Sequence, residues 1–96
     1  MVCLIATFTV KEGKMEEAVE VLKQIVPKIK ESEPGCLIYT PHTIRGRKNK
    51  NSIVFYEKYV DDEAMKAHTD KIATTLADFL PLCEPGADVK TCFEII

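Results

Sequence analysis

His68 falls on an apolar helical stripe of Met65, His68, Ile72, Leu76, Phe79 and Leu80, which aims its ring between helix and sheet. An imidazole exchanges protons near neutral pH, so a histidine in such a place can serve as general base or hydrogen-bond donor without a cofactor. It can equally be a buried histidine satisfied by a carboxylate or carbonyl, and residue types alone leave both readings open. Glu57 is the natural partner. In the run Ile53 to Val60, strand alternation puts Phe55, Glu57 and Tyr59 on one face and Val54, Tyr56 and Lys58 on the other. An acid between two aromatic residues on a half-buried strand is costly unless paired. Contact with His68 would orient the ring and raise its basicity; the other reading is a salt bridge from Glu57 to a lysine at a dimer rim.

All three tyrosines, Tyr39, Tyr56 and Tyr59, lie in the two strands that flank the polar tip Gly46 to Ser52. Phenols there can wall a flat aromatic ligand and offer it a hydroxyl, or simply pack. Tyr59, on the face of Glu57, is the better pocket candidate, and Tyr56 belongs to the opposite face. His42, after Pro41 near the end of the second strand, is either a surface histidine or part of a pocket mouth. Arg45, Arg47, Lys48 and Lys50 form the one cluster of like charge, either a solvated tip or a catcher of anionic substrates.

The elements that must position these groups read β-α-β-β-α-β over a single domain, residues 1–96. Val2, Leu4, Ala6, Phe8 and Val10 alternate with Cys3, Ile5, Thr7 and Thr9 in a first strand ended by Glu12-Gly13. Met15, Ala18, Val19, Leu22, Ile25, Val26 and Ile29 recur at helical spacing, with Pro27 expected to kink the last turns. Glu33-Pro34-Gly35 breaks that helix, and Cys36 to Ile44 form a second strand with Cys36, Ile38 and Ile44 on one face and Leu37 and Tyr39 on the other. Asp61, Asp62 and Glu63 open the second helix at the positive end of its dipole. Glu84-Pro85-Gly86 closes it, and Val89 to Ile96 make the last strand.

This order builds a ferredoxin-like α+β fold, an antiparallel sheet with both helices on one face. Apolar groups remain on both faces: Ile5 on the less apolar side of the first strand, Cys36, Ile38 and Ile44 opposite Leu37 and Tyr39 on the second, and Phe93 and Ile95 opposite Cys92 and Ile96 on the last. A second copy is therefore expected to cover the face that the helices leave open.

Composition narrows the function. The chain of 96 residues has 13 basic and 15 acidic side chains, a net charge of −2 that gives no general attraction for nucleic acid or anionic membrane. Cys3, Cys36, Cys83 and Cys92 are widely spaced with no C-x-x-C, which argues against a zinc site. No secretory leader or membrane-length apolar run is evident, so a cytoplasmic protein with reduced, buried thiols is expected; a redox pair among the four stays open. No glycine-rich nucleotide motif or metal-ligand cluster is present.

The tract Glu33-Pro34-Gly35-Cys36-Leu37-Ile38-Tyr39-Thr40-Pro41-His42, with Phe55-Tyr56-Glu57-Lys58-Tyr59 and Asp61-Asp62-Glu63-Ala64-Met65-Lys66-Ala67-His68, resembles the signature of the antibiotic biosynthesis monooxygenase (ABM) domain. Phe8 to Ala18 also reads like that family's first strand, turn and helix. The resemblance implies a homodimer with two sheets packed face to face as an α/β-barrel. It also implies an enzyme without cofactor or metal: a base, here His68 oriented by Glu57, deprotonates a small phenol or quinol, whose anion itself reduces dioxygen. Tyr39, Tyr59, His42 and Tyr56 would contact the substrate. Similar domains cleave haem or process a phosphorylated signalling sugar, so an isomerase of such a sugar, or a non-catalytic binding dimer, are the alternatives. The haem branch requires an asparagine, a tryptophan and a histidine where an ungapped alignment puts Ala6, Tyr59 and Asp78, so haem binding is not expected.

Overall fold

Residues 1–96 are described by a computed structural model. Four strands and two long helices follow the expected order: β1 (Val2–Thr9), α1 (Met15–Ser32), β2 (Cys36–Thr43), β3 (Ser52–Tyr59), α2 (Asp62–Thr75) and β4 (Asp88–Phe93). Short 3-10 turns occupy Arg47–Asn49 and Leu80–Leu82. The sheet is antiparallel in the order β2-β3-β1-β4, so the chain's first strand is central and β2 and β4 are edges.

β1 alternates as expected. Val2, Leu4, Ala6 and Phe8 are buried beneath the helices. β3 repeats the pattern with Ile53, Phe55, Glu57 and Tyr59. The register places Leu4 opposite Glu57 and Ala6 opposite Phe55, so these two strands present one continuous inner face. Phe8, Phe55 and Phe79 meet edge-to-face with ring centres 5.3 to 5.9 Å apart, a geometry that suits the aromatic quadrupole.

β2 departs from simple alternation. Cys36 faces Tyr59 and Ile38 faces Lys58, leaving Leu37 as the extra residue of a β-bulge. The bulge turns Cys36 and Tyr39 to the same buried side and leaves Leu37 exposed, correcting the expectation that Leu37 and Tyr39 share a face. The strand stops at Thr43 rather than Ile44.

α1 runs unbroken through Pro27 to Ser32, and its buried stripe is Ala18, Leu22 and Ile29. Asp61 caps α2, its carboxylate accepting the Ala64 amide at 2.8 Å. It ends at Thr75, short of the stripe's last members. Leu76 and Phe79 are still fully buried, carried inward by the turn that follows. β4 ends at Phe93, so Glu94 to Ile96 lie outside the sheet.

Both helices sit on one face. The opposite face displays Ile5 and Tyr56, each just over one-third exposed, beside the half-buried Ile38 and Val54. No helix is long and apolar enough to cross a membrane.

Candidate active site

Four elements converge on His68. The ring projects from the middle of α2 and has no exposed surface. Its Nδ1 lies 2.8 Å from Oε1 of Glu33, the residue that ends α1. On the other side, Nε2 is 3.8 Å from Oε1 of Glu57, too far for a hydrogen bond. Glu57 thus stands within ion-pair distance of the ring, as expected, and the hydrogen bond that fixes the ring comes from Glu33. Glu57 does not reach a lysine: its Oε1 accepts the hydroxyl of Tyr59 at 2.7 Å.

Glu33 reaches the ring because the chain around it is held close to α2. Pro34 cannot continue α1, and the Cys36 amide donates to the Glu33 carbonyl at 2.9 Å, closing a tight turn. At Gly35 the backbone passes so near α2 that an added Cβ would stand 2.6 Å from the Ala64 Cβ. The Gly35 carbonyl accepts the Val60 amide at 3.0 Å, which ties this turn to the end of β3. Glycine is required here by crowding.

Two phenol rings cover the imidazole. Tyr39 lies with its ring centre 4.8 Å away and Tyr59 5.5 Å away, both tilted. Tyr39 owes this place to the bulge at Leu37, and it stands opposite Glu57 in the register. Three atoms of the cluster are buried without a hydrogen-bond partner: His68 Nε2, Tyr39 Oη and Glu33 Oε2. Natural interiors contain few such atoms, because each forfeits the hydrogen bonds it would make in water.

The charges follow from the burial. Burial first, and the Glu33 charge after it, raise the Glu57 carboxyl above its ordinary range, against the opposing pull of the Tyr59 hydroxyl and of His68. Burial chiefly, then the nearby carboxylates, raise the phenols of Tyr39 and Tyr59, which stay neutral donors. The Cys36 thiol is pushed up to about 11 by burial and by the charges of Glu33 and Glu57, so it is no nucleophile. With Glu33 ionised, the 2.8 Å bond needs a proton on Nδ1. The neutral ring then keeps its basic lone pair on Nε2, the nitrogen that has no partner.

The other expected site residues lie elsewhere. His42 is exposed and lines a cleft of about 330 Å³ between α1 and the β2 edge. Val19, Leu22, Val26 and Pro27 form its helix wall, and Pro41 and Ile53 its sheet wall. Tyr56 lies on the uncovered face, its hydroxyl 3.9 Å from the Cys3 sulfur. Of the hairpin-tip cations, Arg45, Arg47 and Lys48 are exposed, and Lys50 pairs with Glu12 at 3.2 Å. Asp78 is exposed and Ala6 is buried in the core. No group of three or more histidine, cysteine or acidic side chains is arranged to hold a metal ion.

The family model for antibiotic biosynthesis monooxygenase matches residues 1–73, which includes every member of the His68 cluster. The chain belongs to the ABM family. Solved structures agree with the fold of this ABM domain. A Caulobacter crescentus protein assigned to the antibiotic biosynthesis monooxygenases is 25% identical over 99% of this chain and 90% of its own, with a TM-score of 0.81. A Shewanella oneidensis protein is 28% identical over 95% and 87%, with a TM-score of 0.74. A cofactor-independent oxygenase from Streptomyces nogalater shares the fold at 18% identity, covering 99% of this chain and 93% of that one, with a TM-score of 0.75. No curated protein sequence gives a match.

Of the residues the sequence singles out, the ABM fold brings His68, Glu57, Tyr39 and Tyr59 together and leaves His42 and Tyr56 apart. It adds Glu33. That residue reads in the sequence as part of a helix stop, and the signal that could have found it is its acidity beside a proline and glycine that force a tight turn toward α2.

Proposed function

We propose that this ABM domain is a cofactor-independent monooxygenase of a small phenol or quinol, with His68 as its base. The observation that carries the reading is the imidazole fixed at Nδ1 by Glu33 while Nε2 stays buried and unpaired. A carboxylate that orients an imidazole and supports its positive form is the arrangement general-base catalysis needs. Nε2 takes the substrate's hydroxyl proton. The resulting anion gives an electron to dioxygen, the radical pair joins at the ring carbon as a peroxide anion, and that anion takes the proton back from Nε2 to become a hydroperoxide. Loss of water from a carbon bearing both hydrogen and hydroperoxide leaves a carbonyl, one oxygen atom going to product and one to water. Tyr39, a neutral phenol beside the ring whose hydroxyl has no partner, suits an aromatic oxyanion, while the Tyr59 hydroxyl is taken by Glu57. Glu57, held by Tyr59, flanks Nε2 instead of orienting the ring, so the orienting role passes to Glu33.

The same surroundings disfavour a phosphorylated sugar. The groups nearest His68 are two carboxylates and two phenols, so a phosphate brought there would meet acidic side chains first.

A homodimer belongs to the proposal, because Ile5, Ile38, Val54 and Tyr56 form an apolar patch that neither helix covers. The Streptomyces neighbour's description as a cofactor-independent oxygenase lends support at the level of chemistry.

One observation favours a second reading, a binding or structural dimer. Tyr39 and Tyr59 cover the imidazole, and none of the four main cavities is lined by His68. Oxygen uptake by His68→Ala with an anthrone- or quinol-type substrate separates the two. A base contributes about 10² to 10⁴ in rate, so a loss of that size in a folded protein supports catalysis. A lowered melting temperature with unchanged specific activity would establish the structural role.

A further inference from the structure

Along β2, Tyr39 falls between the closed imidazole and the open cleft, one inward position short of the cleft lining. Tyr39 is two residues before Pro41 on the bulged strand, and both side chains face the helices. Two residues along a strand span about 6.6 Å. Tyr39 is therefore the next ring along the face that forms the cleft wall, and its other neighbour is His68, at 4.8 Å between ring centres. Resting on the monooxygenase reading, we infer that the α1/β2 cleft holds the ring of the aromatic substrate, with Tyr39 as the partition between it and His68.

Size supports this. At about 330 Å³ the cleft lies at the lower end of ligand cavities, which run from about 300 to 1,000 Å³, and so suits one or two fused rings. Its chemistry agrees. The walls are aliphatic carbon and proline, with Thr43, His42 and Lys23 as the polar lining. Lys23 is exposed and held by Glu20 at 3.3 Å on its own helix, an ion pair of the weak surface kind. No acidic side chain lines the cleft. The ligand class is a flat, apolar ring compound bearing one hydroxyl or oxyanion.

The partition has a reason to move. Tyr39 lies on an edge strand next to a bulge, and its hydroxyl is buried without a partner, so swinging the ring aside breaks no side-chain hydrogen bond and gives up only its packing on Phe55 and His68, which the substrate ring would replace. The movement joins the cleft to Nε2. It also lets the Tyr39 hydroxyl meet the substrate's oxygen.

The test titrates 2-naphthol, a ring phenol used as a binding probe, into methyl-labelled protein and follows the spectra. Shifts concentrated at the Val19, Leu22, Val26 and Ile53 methyls are expected. Val26→Phe and Val19→Phe, each filling the cleft from α1, should weaken the probe's Kd at least tenfold, and Asp78→Ala, an exposed position outside the cleft lining, should leave it within twofold. Dispersed methyl spectra identify which variants are folded, and the wild-type map decides the matter even where neither is. Shifts that map to the second cavity, beside Phe8, Ile72, Leu80 and Val89, would overturn the inference, as would no binding at millimolar probe or an unchanged Kd in a folded cleft-filling variant. The cleft and the base fail separately. A probe seated in the cleft with normal oxygen uptake in His68→Ala keeps the site and removes the base; a lost uptake with the cleft empty does the reverse.

Discussion

Gly35→Ala is expected to disturb the site from a distance of one helical turn. The new methyl would stand 2.6 Å from the Ala64 Cβ, where ordinary carbon contacts are about 3.5 to 4.0 Å, so the two backbones must separate by about 1 Å. Neither side yields easily. Gly35 is tied to β3 through its carbonyl and the Val60 amide, and Ala64 is tied to the Asp61 cap. Overpacking of this kind costs about 1 to 3 kcal/mol. For a domain of this size each kcal/mol lowers the melting temperature by about 4 to 8 °C, so the variant should melt about 5 to 20 °C lower. His68 stands one turn beyond Ala64. A shift of about 1 Å there stretches the 2.8 Å bond to Glu33 to a length at which it is no longer a hydrogen bond.

The assays are thermal or urea unfolding, and the ring nitrogen shifts of His68 by NMR. Ala64→Gly removes the atom that is struck, at a helix-propensity cost of up to about 1 kcal/mol. In the double mutant the two losses should fall short of their sum by at least 1 kcal/mol. A Gly35→Ala protein within 0.5 kcal/mol of the parent, or strictly additive losses, would refute the argument that crowding demands this glycine.

Glu57→Gln keeps an oxygen for the Tyr59 hydroxyl and removes a buried charge. The folded carboxyl sits above its usual 4.5, so the folded state retains a proton that the unfolded chain gives up, and Glu57's contribution to stability declines as pH rises from about 4.5 through the raised value. The glutamine variant should therefore gain on the parent between pH 4.5 and 8 in urea melts; a widening deficit over that range contradicts the assigned direction. Light scattering at micromolar protein should give about twice the 10.8 kDa chain mass, and a monomer would show that the uncovered apolar face is tolerated in water.

Much of the fold was legible because its period is carried by residue type. The alternation in β1 and in Ile53 to Tyr59 follows from burying one face of a sheet, and it placed Phe55, Glu57 and Tyr59 inward. The helical stripe put His68 inside. It also overran: Leu76 and Phe79 keep the spacing after α2 has ended at Thr75, because a compact turn can bury residues at nearly the same offsets. The bulge at Leu37 carries no residue signature, so the facing of Tyr39 could not follow from counting by twos. Glu33 was hidden for another reason. Thirty-five residues separate it from His68, and their contact depends on how near Gly35 lets the turn come to Ala64.

The energetics of the cluster bear on which proposed reading it serves. An apolar set of the same volume between α2 and the sheet would satisfy the core without leaving Nε2, the Tyr39 hydroxyl and a Glu33 oxygen unpaired. Each such atom costs about 1 to 3 kcal/mol, a large share of what a domain of this length can spare. A structural histidine would be expected to have both nitrogens engaged, as the neighbouring Glu57 to Tyr59 pair has its donor and acceptor engaged. Here one nitrogen is fixed at 2.8 Å and the other is kept free, although a second carboxylate stands only 3.8 Å away and has been drawn aside by Tyr59. With the ring proton on Nδ1, Nε2 is an acceptor that an ionised Glu57 cannot bond, and the Glu57 oxygen takes the Tyr59 hydroxyl instead; the unpaired nitrogen that results is the feature on which the proposed base rests.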